Sequence, residues 1–560
     1  MLTNGHTRNF FTMKKNLPSF PDSWAKLFLS ATLMLSSFAI QAQTAPAVEW
    51  DRTFGGASDD ILFSIDQTSD GGYVLGGSSM SGIGGSKSQA SKGGLDFWVV
   101  KLDAAGNKTW DKTIGGNSED ILLRVKQTAD GGYILGGMSN SYLSGDKTAP
   151  PYSVIWPDLW IVKLNANGNK EWDKTLGGSE LDGFVDILPT SDGGFVIGAS
   201  SSSFVSNTKS QPTKGASDYW LIKLDAAGNK VWDKSIGGSG DEQLTDIQPA
   251  SDGGFLLTGS STSGADGDKS DPRINHPWPD YWLVKTDSAG NKAWDKTIAG
   301  HGWDKTSRIV QTPDGGYLLG GNSDPSFGGT NSPASFGLSD IWIAKLDSAR
   351  NITWHKSFGG NGHDQLQQLH ITPDGNFILA GQSESGANGS KSQASFGGSD
   401  FWILKTDPNG NIIWETTLGS DSTDLLFSLF QTTNNGLIAG GRSASGSMGT
   451  KTQASQGGFD LWIVKLAPEV TGAKETQASF DVAVYPNPNQ GKFTLQLHNL
   501  NVATVSISVA DLLGKKIFEK TVPVLNSTLL EEITLPQVKG LYLLQLKAGA
   551  EVVTRKVVVE

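Results

Sequence analysis

Residues 60–68, DILFSIDQT, alternate apolar and polar positions and stop at SDGG. That is the period-two pattern of a half-buried strand running into a turn. GYVLGGSS (72–79) follows at once, and the Asp-Gly junction between the two runs marks a hairpin. A long polar stretch leads to DFWVVKL (96–102), after which DAAGN turns the chain back as KTWDKTIGG (108–116). Four short strands are expected from this one stretch.

The stretch recurs. The tryptophan of xDxW stands at Trp98, Trp160, Trp220, Trp282, Trp342, Trp402 and Trp462, always 60 or 62 residues apart. A second, followed by an acid or histidine, stands at Trp50, Trp110, Trp172, Trp232, Trp294, Trp354 and Trp414. A long fixed period has to be read before any local motif. Four strands repeated seven times predict an all-β chain folded as a seven-bladed β-propeller. The phase of the repeat adds closure: the array opens with WDRTFGG (50–56), a fourth strand alone, and ends at LWIVKL (461–466), a third strand without a fourth. Joined, the two ends complete one blade and leave no open edge. The propeller is thus expected over 43–466. A linker follows (467–479, APEVTGAKETQAS), then strands of a small β-sandwich over 480–560.

Composition agrees and adds an address. Seventy glycines, 18 tryptophans and 18% charged residues suit short strands and tight turns. Residues 1–42 read as an export signal, with Lys14, Lys15 and Lys26 ahead of the apolar run 27–40; Met13 is an alternative start. That run is too short to span a bilayer, and no anchoring span is expected in the mature chain. There is no cysteine, hence no disulfide or thiolate metal site. Residues 1–49 carry four basic and two acidic side chains and residues 478–560 eight and seven, so the net −12 places about −15 on the middle of the chain. An acidic body without a basic stripe argues against nucleic acid or an anionic membrane surface as a partner.

Strand alternation places the SDGG and DAAGN turns on one face of the ring and the longer loops on the other, where binding is expected. On that second face an acid opens every first strand: Asp60, Asp120, Asp182, Glu242, Asp304, Asp364 and Asp424. Another opens every third strand, from Asp96 to Asp460, and a lysine (Lys87, Lys147, Lys209, Lys269, Lys391, Lys451) lies in each long loop except blade five, which has Asn331. A feature present in every blade is expected to anchor loops. Bound Ca²⁺, which takes carboxylate and carbonyl oxygens, is the alternative and the one cofactor in view. The lysine of VVKLD, Lys101 in blade one, is expected on the polar side of its blade.

Departures from the repeat single out other residues. Blades two and four each insert two residues and end in IWPD and PWPD, which puts Trp156 and Trp278 at loop ends. Blade five adds His301 and Trp303, and blade six adds His363. Tryptophans beside carboxylates suit a sugar surface, rings stacking while acids accept hydroxyl protons. A polysaccharide-active enzyme using these histidines with Asp304 or Asp364 is the second reading, although adjacent residues on a strand face opposite ways. A structural surface component without a ligand is the third.

Three stretches of the chain resemble known families. YPNPNQGKFTL (485–495), GLYLLQL (540–546) and KVVVE (556–560) resemble the type A C-terminal sorting domain of type IX secretion cargo. The resemblance implies recognition of 480–560 by that machinery, passage across the outer membrane of a Bacteroidetes-type cell, and release or attachment at its surface. The body is similar to repeats common in such cargo, of the form SDYWVVKLNSSGNIQWQKSLGGS. KLDAAGNKxW also resembles the turn of quinoprotein-type blades, which implies a blade-docking tryptophan; with seven blades and no cysteine pair, the redox cofactor is not carried over. The expected function is a binding or scaffolding module for glycan or a surface protein, on the face carrying Trp156, Trp278, His301, Trp303 and His363.

Overall fold

The computed structural model describes residues 44–274, 278–298, 307–323, 336–469, 480–511, 515–535, 539–549 and 551–559. The export signal, His301, Trp303, Asp304, Asn331 and most of the expected linker lie outside the described residues.

In blade one the strands Asp60–Gln67, Tyr73–Ser79, Asp96–Leu102 and Lys108–Ile114 pair in sequence order, each antiparallel to the next. The same order recurs, giving seven four-stranded sheets between Val48 and Leu466. Blade seven is the composite: Asp424–Gln431, Leu437–Ser443 and Asp460–Leu466 receive Val48–Phe54 as their outer strand, with Trp462 opposite Thr53 and Leu461 opposite Phe54. First strands of neighbouring blades lie side by side around the ring, including those of blades seven and one, so the circle is closed.

The tryptophans hold blade to blade. Trp98 is fully buried and shares a core with Ile438, Leu461 and Ile463 of blade seven. Trp160 packs on Phe97 of blade one at 4.8 Å between ring centroids. The outer-strand tryptophans dock differently. Gly106 of the DAAGN turn has φ +79°, and a Cβ there would lie 3.0 Å from the Trp50 ring, so the turn needs glycine for its backbone and for its neighbour.

Lys101 is a correction. It is buried, not on a polar face: its stem lies within the blade and Nζ donates to Asp70 Oδ2 (2.9 Å) and Leu102 O (2.8 Å). Lys163, Lys285 and Lys345 likewise pair with Asp130, Asp252 and Asp314. The aspartate of SDGG therefore serves both as turn former and as counter-ion. Hydrogen bonds from Thr68 and Lys101 outweigh the burial of Asp70 and hold its carboxyl at about 2.

At the C-terminus, a three-stranded sheet (Asp481–Tyr485, Lys492–His498, Leu529–Thr534) faces a four-stranded one (Thr504–Asp511, Lys516–Pro523, Gly540–Ala548, Glu551–Val559). Phe493, Leu495, Ile507, Leu544, Leu546 and Val557 form their common core. The YPNP segment caps the last strand: Asn487 Nδ2 donates to Lys556 O (2.7 Å) and Val558 N to Asn487 Oδ1 (2.8 Å).

Candidate functional site

The two carboxylate rings lie beneath the loop face and are not part of its surface. Asp60, Asp120, Asp182, Glu242, Asp364 and Asp424 are fully buried, as are the described third-strand acids. Asp60 Oδ2 accepts from Gly56 N (2.7 Å) and Ser81 Oγ (2.8 Å) and so ties the start of the strand to the long loop. The third-strand acid clamps the far end of that loop, as Asp158 does on Tyr152 N (2.6 Å) and Asp400 on Phe396 N (2.5 Å). Under the loop, Lys87 Nζ donates to Thr113 Oγ1 (2.7 Å) and stands 5.4 Å from the Trp98 ring. Burial pulls its ammonium down to about 8 against the raising influence of Asp60 and Asp96.

Glu242 has both oxygens hydrogen-bonded, whereas several of the aspartates bury one oxygen without a partner. Oδ1 of Asp96 and of Asp120, on facing blades, is buried without a hydrogen-bond partner, and the same holds for Asp158 with Asp182 and Asp400 with Asp424. Burial, opposed by the loop amides and reinforced by the facing carboxylate, pushes Asp158 to about 6 and Asp400 to about 7. Ca²⁺ asks for six to eight oxygens, whereas no group of three or more His, Cys, Asp or Glu side chains placed to hold a metal exists among the described residues. The carboxylate pairs therefore do not fit calcium. The thermal midpoint of the mature chain should be equal in EDTA and in millimolar Ca²⁺; a rise of about 5 °C or more with Ca²⁺ would restore that ion.

Of the other predicted residues, Trp156, Trp278 and His363 are described, and they lie in three different blades. Trp156 is exposed in blade two, where Ser153 Oγ accepts from its backbone N–H at 3.1 Å. Trp278 is half-buried in blade four, its carbonyl held by Arg273 Nη2 at 2.9 Å. His363, exposed in blade six, has Nδ1 3.0 Å from Ser339 Oγ, while Asp364 beside it is buried on Gly360 N and Ser385 Oγ. Histidine and aspartate thus face apart, as strand alternation requires.

An apolar arc that the sequence reading missed lies on this face. The tips of the long loops carry Ile83 in blade one, Tyr142 and Leu143 in blade two, and Phe204 and Val205 in blade three, all exposed. The equivalent residues are Gly264 and Ala265 in blade four and Gly386 and Ala387 in blade six. The blade-two insertion adds Tyr152, Trp156, Val154 (80% exposed) and Ile155 (74%), and Leu181 lies at the neighbouring connection. The loops tile the face: Ser86 N donates to Gly55 O, Asp146 N to Gly115 O and Thr208 N to Gly177 O, so each tip rests on the preceding blade.

The second missed feature is the central channel. Its lining position on the seven first strands reads Ser64, Arg124, Asp186, Asp246, Arg308, Gln368 and Ser428, while the position after it is aliphatic in every blade. Innermost strands have a free edge, and these side chains satisfy it on the next blade. Ile65 N donates to Ser428 Oγ (3.1 Å), Ile309 N to Asp246 Oδ2 (3.2 Å), and Gln368 Nε2 to Phe427 O (2.8 Å). His370 Nε2 donates to Leu429 O (2.6 Å); burial and nearby cations bring the ring down to about 4, so it is neutral with Nδ1 unprotonated. Aligning the seven repeats on the opening acid exposes these non-repeating positions. Attention to departures in loops alone passes over them.

In sequence, the chain is 23% identical over 308 residues to the Regulatory protein FlaEY of Caulobacter vibrioides, covering 51% of this chain and 32% of that one. It therefore spans about a third of that relative's length. In structure it is similar to Kuenenia stuttgartiensis hydrazine synthase (9% identity, 68% of this chain and 94% of that one, TM-score 0.40). It is also similar to the WD40 domain of Neurospora crassa Pan2 (9%, 74% and 98%, 0.36) and to a thermostable family-43 glycoside hydrolase (13%, 53% and 92%, 0.29). The propeller assignment rests on sheet order and ring closure, not on these likenesses. No helix among the described residues is long and apolar enough to cross a membrane. Residues 483–560 match the Secretion system C-terminal sorting domain family, which makes the chain a cargo of the type IX secretion machinery, secreted or attached at the outer surface of a Gram-negative cell.

Proposed function

We propose that this exported propeller, led out by a signal in residues 1–42, is a binding module whose partner is a protein seated on the loop face of blades one to three. The observation that carries the reading is the exposed apolar arc through Ile83, Leu143, Ile155, Trp156, Phe204 and Val205. Exposed apolar side chains on the loops of neighbouring blades of a rigid scaffold suit an interaction surface. Aliphatic side chains dominate it, and they bury well against a protein but offer no stacking plane to a sugar. The acids that a glycan site would use are buried and committed to loop amides. The surrounding body is acidic, so a partner with an apolar patch and a basic margin fits best.

The test is saturable binding of the mature chain to surface material from the producing cell. The triple variant Ile83→Ser, Leu143→Ser, Val205→Ser should weaken binding at least about tenfold with an unchanged thermal midpoint, because all three side chains are exposed. Protease treatment of the surface should abolish binding and periodate should spare it. The reverse pattern, with binding lost in Trp156→Ala and kept in the triple variant, would establish the glycan reading instead.

A further inference from the structure

Resting on the loop face as a protein-binding surface, we propose that Arg442 is its charged anchor and takes one carboxylate, an Asp or Glu side chain set among apolar residues of the partner. Arg442 is the penultimate residue of the strand Leu437–Ser443, at its loop-face end, where it pairs with Leu425 of the innermost strand. The same position in blades one to six holds Ser78, Met138, Ser200, Ser260, Asn322 and Gln382, none of them charged. In blades one, three and five it serves the ring. Leu122 N donates to Ser78 Oγ (2.9 Å), Leu244 N to Ser200 Oγ (2.8 Å) and Leu366 N to Asn322 Oδ1 (2.9 Å), each on the next blade. Arginine carries only donors and cannot make that bond. Holding the ring together therefore does not account for Arg442.

What surrounds the guanidinium is aromatic. Its Cζ lies 4.4 Å from the centroid of the Phe459 ring and 5.9 Å from that of Phe427. Phe427 in turn packs on Phe63 of blade one at 5.3 Å. Nε is buried without a hydrogen-bond partner. Asp59, whose charge acts on the guanidinium, turns Oδ1 to Phe459 N (2.9 Å), and among the described residues no carboxylate forms an ion pair with Arg442. Ring faces attract a cation, yet they accept none of the N–H groups that point out in the guanidinium plane. The stack thus offsets part of the cost of burial and leaves the edge donors for a carboxylate.

The neighbouring positions indicate what accompanies that carboxylate. The position of Phe63 on the first strands reads Phe427, Phe63, Leu123 and Val185 in blade seven and blades one to three, then Thr245, Ser307 and Gln367 in blades four to six. The sequence is thus apolar toward the axis in the same blades whose loop tips are apolar, and Arg442 stands in that sector. The two regions are also continuous. Met80, exposed in the loop that carries Ile83, donates its N–H to Asp59 O (3.0 Å), and Asp59 holds Phe459. An arginine ringed by aromatic and aliphatic side chains is the kind of residue that anchors a protein interface. The acidic body repels a partner rich in acids, so a single carboxylate inside an apolar patch suits this position.

A random peptide library displayed on phage, selected on the mature full-length chain and counter-selected on Arg442→Met, tests the proposal. Methionine already occupies this position in blade two as Met138, so the variant should melt with the parent by circular dichroism. Arg442→Gln, after Gln382 of blade six, replaces it if it does not. Surviving sequences should carry Asp or Glu flanked by apolar residues. For one such synthetic peptide, exchanging the acid for its amide and changing Arg442→Met should each weaken binding at least about tenfold. The two changes together should weaken it little more than either alone, because they remove one and the same contact. If no sequence survives, if the survivors carry no acid, or if the amide form binds as the acid does, the proposal is wrong. Loss of surface binding in the triple variant of Ile83, Leu143 and Val205, with full binding by Arg442→Met, would keep the protein-partner reading and remove only this anchor.

Discussion

Removing residues 44–56 from the mature chain is expected to abolish the folded monomer. The strand Val48–Phe54 is the outer strand of blade seven, and without it Asp460–Leu466 becomes a free hydrophobic edge. Asp51 is lost with it, and with Asp51 the acceptor of Trp462 Nε1 (3.1 Å) and of Thr452 N (2.9 Å). So is Trp50, which packs edge-on to Tyr73 at 6.0 Å and against Gly106 of blade one. Gly55 O, on which the blade-one loop rests through Ser86 N (2.8 Å), goes as well. Together these form the clasp between the two ends of the ring. Their loss is expected to cost about 5 kcal/mol or more, comparable to the whole stability of many domains. Residues 57–560 should therefore melt far lower than 43–560 or self-associate through the bare edge. A monomer of unchanged midpoint by size-exclusion chromatography and circular dichroism would disprove closure by this strand.

The second large effect concerns pH. Asp400 is fully buried, and burial, reinforced by Asp424, raises its carboxyl to about 7 from an ordinary 3.8. Asp158 and Asp460 are raised to about 6 by burial and by Asp182 and Asp60. A carboxyl raised on folding binds its proton more tightly in the folded chain. Its stabilising contribution is complete below about pH 4 and is lost as pH rises through 6 to 7. Asp70 and Asp130 act in the opposite sense: both are held at about 2, and their contribution fades as pH falls below 4. Stability should therefore peak near pH 5 and decline toward pH 8. Asp400→Asn keeps an acceptor for Phe396 N and removes the charge that burial and Asp424 disfavour. It should gain on the order of 1–2 kcal/mol at pH 8 and little at pH 5. Chemical denaturation at the two pH values measures this. A variant equally destabilised at both would mean that the pair is not the source of the pH dependence.

How much of this was legible in the sequence depends on the range of the interaction behind each feature. The blade is local: alternation in DILFSIDQT, the SDGG and DAAGN turns, and the Asp103 side chain that accepts from Ala105 N (2.9 Å) and Asn107 N (2.8 Å) all lie within a few residues. Closure is encoded by phase, because a fourth strand at Trp50 and a third at Trp462 have one partner each to find. The sorting tail is encoded in contiguous motifs that pair across the sandwich, Asn487 on Lys556.

Environment is not local. Lys101 reads as polar surface and proves buried, since what covers it is a turn folded back from elsewhere in the blade. Recurrence in every blade marks the acids as loop anchors, but sequence does not show which amides they hold. Arg124 and Asp186 stand 62 residues apart and meet only because successive innermost strands pack around one axis. By itself, then, the sequence determined the blade, the number of repeats, the closing strand and the address at the cell surface, all set by periodicity and short-range hydrogen bonding. Tertiary structure alone decided which charges are buried, which apolar tips stay exposed and what gathers in the channel, because burial and charge balance are sums over neighbours distant in the chain.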